Sequence, residues 1–293
     1  MFRTKTFSPK PEFLRSSSKN QRAVQKLRRM LREFALHTVC EEARCPNLGK
    51  CFSQGTATFL ILGKICTRNC RFCAVEKGTP APPDRNEPEQ VAKMAKSLGL
   101  KHIVITSVTR DDLEDRGAEH FVQTVLQIKR TLPHATVEVL TPDFGGNFKA
   151  LEKVLEAEPE VFNHNLETVP RLYEKVRPKA DYFRSLSLIE YAHKNFPQIL
   201  TKSGIMVGLG ESKEEIIELM GDLKQAGCSL LTIGQYLAPS KKHCPVAKYY
   251  HPEEYKELEE IGKGLGLIVF AGPLVRSSYC AGEVFASLKG EMK

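Results

Sequence analysis

The sequence predicts an α/β fold, a partial (β/α)6 TIM-type barrel of parallel strands with N-terminal and C-terminal extensions. Three observations predict it. Apolar, strand-like runs alternate with segments of helical periodicity. Polar motifs fall at or just after the ends of those runs, where barrel enzymes place their chemistry. And 293 residues, 41% of them hydrophobic, suit one large α/β domain rather than a disordered chain.

Residues 1–40 form a basic arm. Arg3, Lys5, Lys10, Arg15, Lys19, Arg22, Lys26, Arg28, Arg29 and Arg32 stand against only Glu12 and Glu33, so the arm carries the whole formal charge of +8 and residues 41–293 balance. Such an arm is either a solvated surface or a docking patch for an acidic protein. With no Trp and no basic–aromatic interleaving along the body, no nucleic-acid groove is expected. The arm's composition mimics a transit peptide, but 23–31 is periodic as a helix and runs into Cys40. There is no apolar signal core and no run near the ~18 apolar residues of a membrane span, so a reducing cytoplasm and no membrane are expected.

Strands are expected at 56–62, 102–108, 136–141, 160–165, 203–209, 230–237 and 266–271. Helices are expected at 87–98, 118–131, 147–157, 182–194, 212–226 and 252–263. Thr106 to Asp112 follow the second strand. Asn163-His164-Asn165-Leu166-Glu167-Thr168 end the fourth, Gly208-Leu209-Gly210-Glu211 the fifth and Gly234-Gln235-Tyr236-Leu237 the sixth. Gly208-Leu209-Gly210 lacks the further glycine of a dinucleotide fingerprint and reads as a strand-end turn. Six β/α units starting from the first strand imply a barrel open on one side.

Nine cysteines are an odd number in a long chain, which disfavours a disulfide scaffold. Cys40, Cys45 and Cys51 are spaced C-x4-C-x5-C, and Cys66, Cys70 and Cys73 are spaced C-x3-C-x2-C. Dense thiols of this kind ligate zinc or iron–sulfur clusters. A structural zinc site closes with four ligands, whereas each trio supplies three. Three thiolates on a cubane leave one iron open for chemistry; zinc with a remote fourth ligand stays as the alternative. Cys228, Cys244 and Cys280 stand apart. The first two read as inert small residues, while Cys280 follows the Arg276-Ser277-Ser278-Tyr279 segment and is a weak competitor for a metal. His164 reads as a hydrogen-bonded rim residue.

The loop Cys66-Thr67-Arg68-Asn69-Cys70-Arg71-Phe72-Cys73, fed by 56–65, resembles the cluster loop of the radical S-adenosylmethionine (SAM) superfamily. Val39-Cys40-Glu41-Glu42-Ala43-Arg44-Cys45-Pro46-Asn47-Leu48 with Cys51, Arg276-Ser277-Ser278-Tyr279, 163–169, 176–178, 202–211 and 231–237 resemble the lipoyl synthase family. The resemblance runs from about Lys10 to about Glu283.

This resemblance implies an enzyme that inserts two sulfurs, at C6 and C8 of a protein-bound octanoyl-lysine chain, with SAM and two [4Fe–4S] clusters as cofactors. Cys66, Cys70 and Cys73 would bind the radical-generating cluster, and Cys40, Cys45 and Cys51 an auxiliary cluster consumed as the sulfur source. Its fourth ligand would be Ser278, with Ser277 as the fallback. Thr106, Asn163, Glu167 and Arg177 would meet SAM, and Arg276 would shield the auxiliary cluster. The implied partners are octanoylated lipoyl carrier domains (2-oxoacid dehydrogenase acyltransferase subunits and the glycine cleavage H protein), a low-potential electron donor such as ferredoxin or flavodoxin, and an iron–sulfur cluster carrier. The implied divisions are 1–54, 55–265 and 266–293, the outer two carrying the auxiliary site. A biotin-synthase-like enzyme would not be expected to carry the first trio with Arg-Ser-Ser-Tyr, and a plain electron carrier would want both clusters fully ligated. Three positions depart from the family pattern: Phe52 for Trp, Lys64 for Asp, and Arg116 where a glycine is usual and φ > 0 would strain an arginine.

Overall fold

The computed structural model describes residues 10–14 and 20–291; Arg3, Lys5, Arg15 and Lys19 of the basic arm lie outside the described residues. Seven strands build the barrel: β1 (Phe59–Ile61), β2 (His102–Ser107), β3 (Thr136–Leu140), β4 (Val161–Asn163), β5 (Leu200–Val207), β6 (Leu230–Gln235) and β7 (Ile268–Gly272). They pair in sequence order and in parallel, and His37–Thr38 adds an antiparallel edge to β1. Among the described residues no ladder joins β7 back to that edge, so the barrel stays open.

Helix α1 (Gln21–Glu33) precedes the barrel. Helices α2 (Glu87–Ser97), α3 (Ala118–Thr131), α4 (Phe148–Glu156), α5 (Tyr182–Asn195), α6 (Lys213–Gln225) and α7 (Pro252–Gly264) connect successive strands, and α8 (Ala281–Glu291) ends the chain. Local chemistry sets their starts. Asp181 accepts from Arg184 N at α5, Ser212 and Glu215 form a reciprocal capping box at α6, and Pro252 stands in the first turn of α7. Outward-facing Val137, Val139 and Phe162 are fully buried between sheet and helices. Among the described residues no helix is long and apolar enough to cross a membrane.

Most strand limits differ from the sequence expectation by one to three residues. β1, β4 and β6 are shorter, β7 begins at Ile268 rather than 266, and β5 begins at Leu200 rather than 203. The last difference has a clear cause, because the alternate, inward positions of the barrel floor are polar. Lys202 Nζ lies 2.9 and 3.0 Å from the two Glu138 oxygens, Asn163 Nδ2 donates to Glu138 at 2.9 Å, and His102 Nε2 lies 3.4 Å from it. All of these lie inside the barrel, where apolar periodicity cannot reveal them. Burial pushes the Glu138 carboxyl up, but the Lys202 charge and the His102 contact outweigh it and bring it down to about 2.

The chain leaving β7 enters the open side of the barrel. Gly204 and Gly234 make room for it: a Cβ on Gly234 would stand 2.0 Å from Val275 O, and one on Gly204 2.5 Å from Ser277 Oγ. Farther on, Phe285 of α8 stacks on His102 with ring centroids 5.5 Å apart.

Candidate active site

The second cysteine trio hangs from the end of β1. Leu62 and Gly63, with φ of 67° and 82°, turn the chain out, and Leu62 N donates to buried Glu87 at 2.7 Å. The loop that follows is pinned to the scaffold. Thr67 N donates to Thr109 O, Arg71 N to Val176 O at 2.8 Å, and Cys244 N to Arg71 O at 2.9 Å. Lys77 Nζ and His243 Nε2 both donate to Cys73 O, at 3.0 and 3.2 Å. Buried Arg68 forks onto Asp111 at 2.8 and 2.9 Å and reaches Asp143 at 2.6 Å. Burial raises the Asp143 carboxyl, but Arg68 holds it well below the usual carboxylate range.

The first trio sits on short helical turns. Thr38 Oγ1 caps Val39–Glu42, which carries Cys40; Cys45 N donates to Cys40 O; and Leu48–Ser53 carries Cys51. The C-terminal segment is tied to it. Asn47 Nδ2 donates to Leu274 O at 2.6 Å, and Lys50 Nζ donates to Tyr279 Oη at 2.6 Å. Ser277 Oγ donates to Asn165 Oδ1 at 2.8 Å, whereas the Ser278 hydroxyl has no hydrogen bond among the described residues.

One cavity of about 570 Å³ joins these parts. Its wall includes Cys40, Cys45, Cys66, Cys70, Cys73, Thr106, Glu167, Arg177, Arg276, Ser277 and Ser278. Two sequence-predicted residues are not on that wall. Cys51 stands behind it, beside Cys45 and Cys280, and Asn163 points into the barrel floor against Glu138. Asn165 lines the cavity instead: it lies past the end of β4 at Asn163, where the period-2 alternation that would put both asparagines on one face no longer sets the side-chain direction.

The donor chemistry fits the groups that the sequence implies. Burial pushes the thiols of Cys40 and Cys73 up to about 12 and Cys51 up to about 11, and it raises Cys70. Within each trio the thiols lie close enough to raise one another. Neutral, buried thiols become strong ligands when a metal centre takes the thiolate. Among the described residues no three His, Cys, Asp or Glu side chains converge closely enough for a single metal ion.

The wall also fits a polar ligand. Ser107 Oγ, Thr141 Oγ1, His164 Nε2 and Arg177 Nε are buried without a hydrogen-bond partner in the structure, and all four residues line the cavity. His164 Nδ1 donates to Thr141 O at 2.9 Å, so Nε2 is left as an acceptor; burial, with Arg177 nearby, lowers this imidazole to about 4. Burial raises Glu167, which Arg177 opposes. Arg177 Nη1 is occupied by Asn165 O, Leu166 O and Tyr173 Oη, each at 3.0 Å.

Of the three departures from the family pattern, Phe52 is buried in the core and Lys64 is exposed. Arg116 does adopt φ 59°, a strain of about 1–2 kcal/mol. Its guanidinium offsets this by bonding to Asp111 O and pairing with the Asp111 carboxylate at 3.8 Å. Sequence reasoning places Arg68 in the cysteine loop and Asp111 and Asp143 at strand ends but gives them no shared role, because nothing in their local sequence marks a charge as buried.

Residues 60–223 match the family model of the Radical SAM superfamily. A curated lipoyl synthase of Caldanaerobacter subterraneus subsp. tengcongensis is 58% identical over 93% of this chain and 95% of its own length. One of Caldicellulosiruptor saccharolyticus is 54% identical over 94% and 96%. Among solved structures, Streptococcus suis SuiB bound to S-adenosylmethionine is similar in fold, with a TM-score of 0.55 at 15% identity over 77% of this chain and 53% of that one.

Proposed function

The chain belongs to the lipoyl synthase family of the radical SAM superfamily, and from that premise we propose how its own residues carry out the family's reaction. The enzyme inserts two sulfur atoms, at C6 and C8 of a protein-bound octanoyl-lysine chain, with SAM and [4Fe–4S] clusters. In our reading Cys66, Cys70 and Cys73 hold the radical-generating cluster. Cys40, Cys45, Cys51 and Ser278 hold the cluster that is the sulfur substrate. When bound, these groups supply the electron that cleaves SAM to a 5′-deoxyadenosyl radical and the sulfur that the opened carbon takes up.

The protein's part is to bind, orient and exclude water. C6 and C8 carry no acidic hydrogen, so no side chain can start the reaction as a base, and the site must shelter a radical. Thr106, Glu167 and Arg177 face SAM in this reading. Arg177 offers its unpartnered Nε–H, and Glu167 offers an acceptor. Asn163 acts from beneath by holding Glu138, and Arg68 fixes the cysteine loop through Asp111 and Asp143. Ser277 is occupied by Asn165, which favours Ser278 as the oxygen ligand. An oxygen is a poorer partner than thiolate for an iron–sulfur iron, so breakdown of the cluster begins there. Segments 1–54 and 266–293 form the sulfur side and 55–265 the radical side.

The enzyme acts on octanoylated carrier proteins. We assign to these the acyltransferase subunits of 2-oxoacid dehydrogenases and the glycine cleavage H protein, with a ferredoxin or flavodoxin as reductant and a cluster carrier for rebuilding. Its place is the cytoplasm, without nucleic acid or membrane.

The observation that carries this reading is that Cys66, Cys70 and Cys73, two cysteines of the first trio (Cys40 and Cys45), and Arg276, Ser277 and Ser278 meet at one cavity, with Cys51 just behind its wall. Reduced protein with reconstituted clusters, SAM and an octanoyl-lysyl peptide of a lipoyl domain, kept anaerobic, should yield 5′-deoxyadenosine and a peptide carrying two sulfurs. Absence of both products would overturn it. With no sulfur-supplying partner, product should stop near one lipoyl group per chain. Sustained turnover would instead make the first trio a structural or relay site.

A further inference from the structure

Helix α1 has two unlike faces. Val24, Leu27 and Leu31 are buried against the core, while Arg22, Lys26, Arg29 and Arg32 are exposed. Positions 22, 26 and 29 follow the helical repeat and form one basic stripe. Among the described residues Arg22, Lys26 and Arg32 have no ion-pair partner, and Arg29 meets only exposed Glu33 at 3.7 Å. Arg28 is different, because it turns to Glu41 at 3.1 Å.

This charge pattern works against the helix that carries it. A helix N-terminus favours acidic side chains; α2, α3, α6 and α7 have them in their first turns, while α4 and α5 do not. The first turn of α1 has none, and Arg22 stands there. Like charges along one face also repel. Helix stability therefore does not account for the stripe, and a breach of local rules of this kind is expected at functional surfaces.

Its position is specific too. The helix packs on Leu48–Ser53, which carries Cys51, and the Arg28–Glu41 pair ties it to the turn that carries Cys40. Exposed Arg44, between two cysteines of the trio, lines the cavity. The basic stripe thus lies on the outer side of the segment that supplies part of the cavity wall.

We propose that Arg22, Lys26, Arg29 and Arg32 dock an acidic surface of the protein that carries the octanoyl chain, holding it beside the cavity while its acyl arm enters. The proposal rests on the lipoyl synthase reading. Exposed charges of this sort steer encounter and are screened by salt.

The test is the variant Arg22→Gln, Lys26→Gln, Arg29→Gln, Arg32→Gln, with Arg28 kept. KM for an intact octanoylated carrier domain is compared with KM for a short octanoyl-lysyl peptide, at low and at about 0.5 M salt. Carrier binding without turnover is measured alongside. We expect KM and Kd for the carrier to rise about fivefold at low salt, the difference to vanish at high salt, and the peptide's KM and kcat to stay put. Unchanged carrier affinity at low salt would overturn the proposal, as would an equal rise for carrier and peptide. Loss of binding to a DNA duplex or an anionic lipid vesicle, with carrier affinity intact, would also overturn it and assign the stripe to another polyanion. Peptide turnover by the unaltered protein reads the reaction itself. No peptide product at all would sink the lipoyl synthase reading and the docking proposal with it.

Discussion

The loop of Cys66, Cys70 and Cys73 and the turns of Cys40 and Cys45 face the same cavity, with Cys51 behind the wall, but the two trios are attached to the molecule differently. The first is fixed by backbone bonds to three separate segments, at Thr109, Val176 and Cys244, and by Arg68 buried between two carboxylates. The second is held by bonds among its own residues, by one backbone bond to the barrel from Val39 N to Thr58 O, by the Arg28–Glu41 pair and the packing of α1, and by Asn47 and Lys50 reaching the C-terminal segment. Segments held by few scaffold contacts open at lower free energy than core elements. A rigid mount suits a cofactor used again in every cycle. A mount made by two ends of the chain suits a group that is spent and rebuilt.

The sharpest way to break this comparison is to remove each trio in turn. Cys66→Ala, Cys70→Ala, Cys73→Ala should abolish SAM cleavage and leave about half of the roughly eight irons expected for two cubanes. Iron analysis and 5′-deoxyadenosine quantification check this, and residual cleavage would mean that the radical site is elsewhere. Cys40→Ala, Cys45→Ala, Cys51→Ala should remove the lipoyl product yet keep some 5′-deoxyadenosine. If both products vanish together, the two functions are not separable.

The mounts themselves predict smaller, graded effects. Arg68→Met strands buried Asp143 beside a single remaining arginine, Arg184 at 3.1 Å. Breaking such a pair is expected to cost about 3–5 kcal/mol, visible as a lower denaturation midpoint of the apoprotein. Asn47→Ala removes one hydrogen bond to Leu274 O, worth about 1 kcal/mol. Its stability change should be small while iron retention at the first trio falls more than at the second, as single-trio variants would show. Equal iron loss at both would dissolve the distinction.

Between these two lies a pH effect from the shared wall. His164 is lowered to about 4 in the fold against about 6.5 in an unfolded chain. The unfolded chain therefore binds more protons between those values, and stability falls as pH drops below about 6.5. At pH 5 this amounts to about 2 kcal/mol. Chemical denaturation of His164→Gln beside the unaltered apoprotein at pH 7 and pH 5 isolates it; an identical pH slope in both would remove His164 as the cause.

Much of the fold was legible because strand and helix periodicities differ and both are local. The six connecting helices fall within a residue or two of their expected limits. The missed start of β5 and the unforeseen Arg68 network share one reason, since a charge is buried only when its partner arrives from far along the chain. Lys202 needs Glu138, and Arg68 needs Asp111 and Asp143. For the same reason Asn163, read as a rim residue, turned out to hold the floor.

By itself the sequence determined the order of the β/α units and the two cysteine spacings, together with the family to which they belong. Spacing along the chain is a covalent fact, and it restricts what a short loop can ligate. Only the tertiary structure decided that cysteines of both trios share one cavity with Arg276, Ser277 and Ser278, and that Ser277 is occupied while Ser278 is not. It also separated Arg28, paired with Glu41, from the exposed stripe of α1. These are distances between residues that the chain keeps far apart, and they exist only once packing has closed the loops between them.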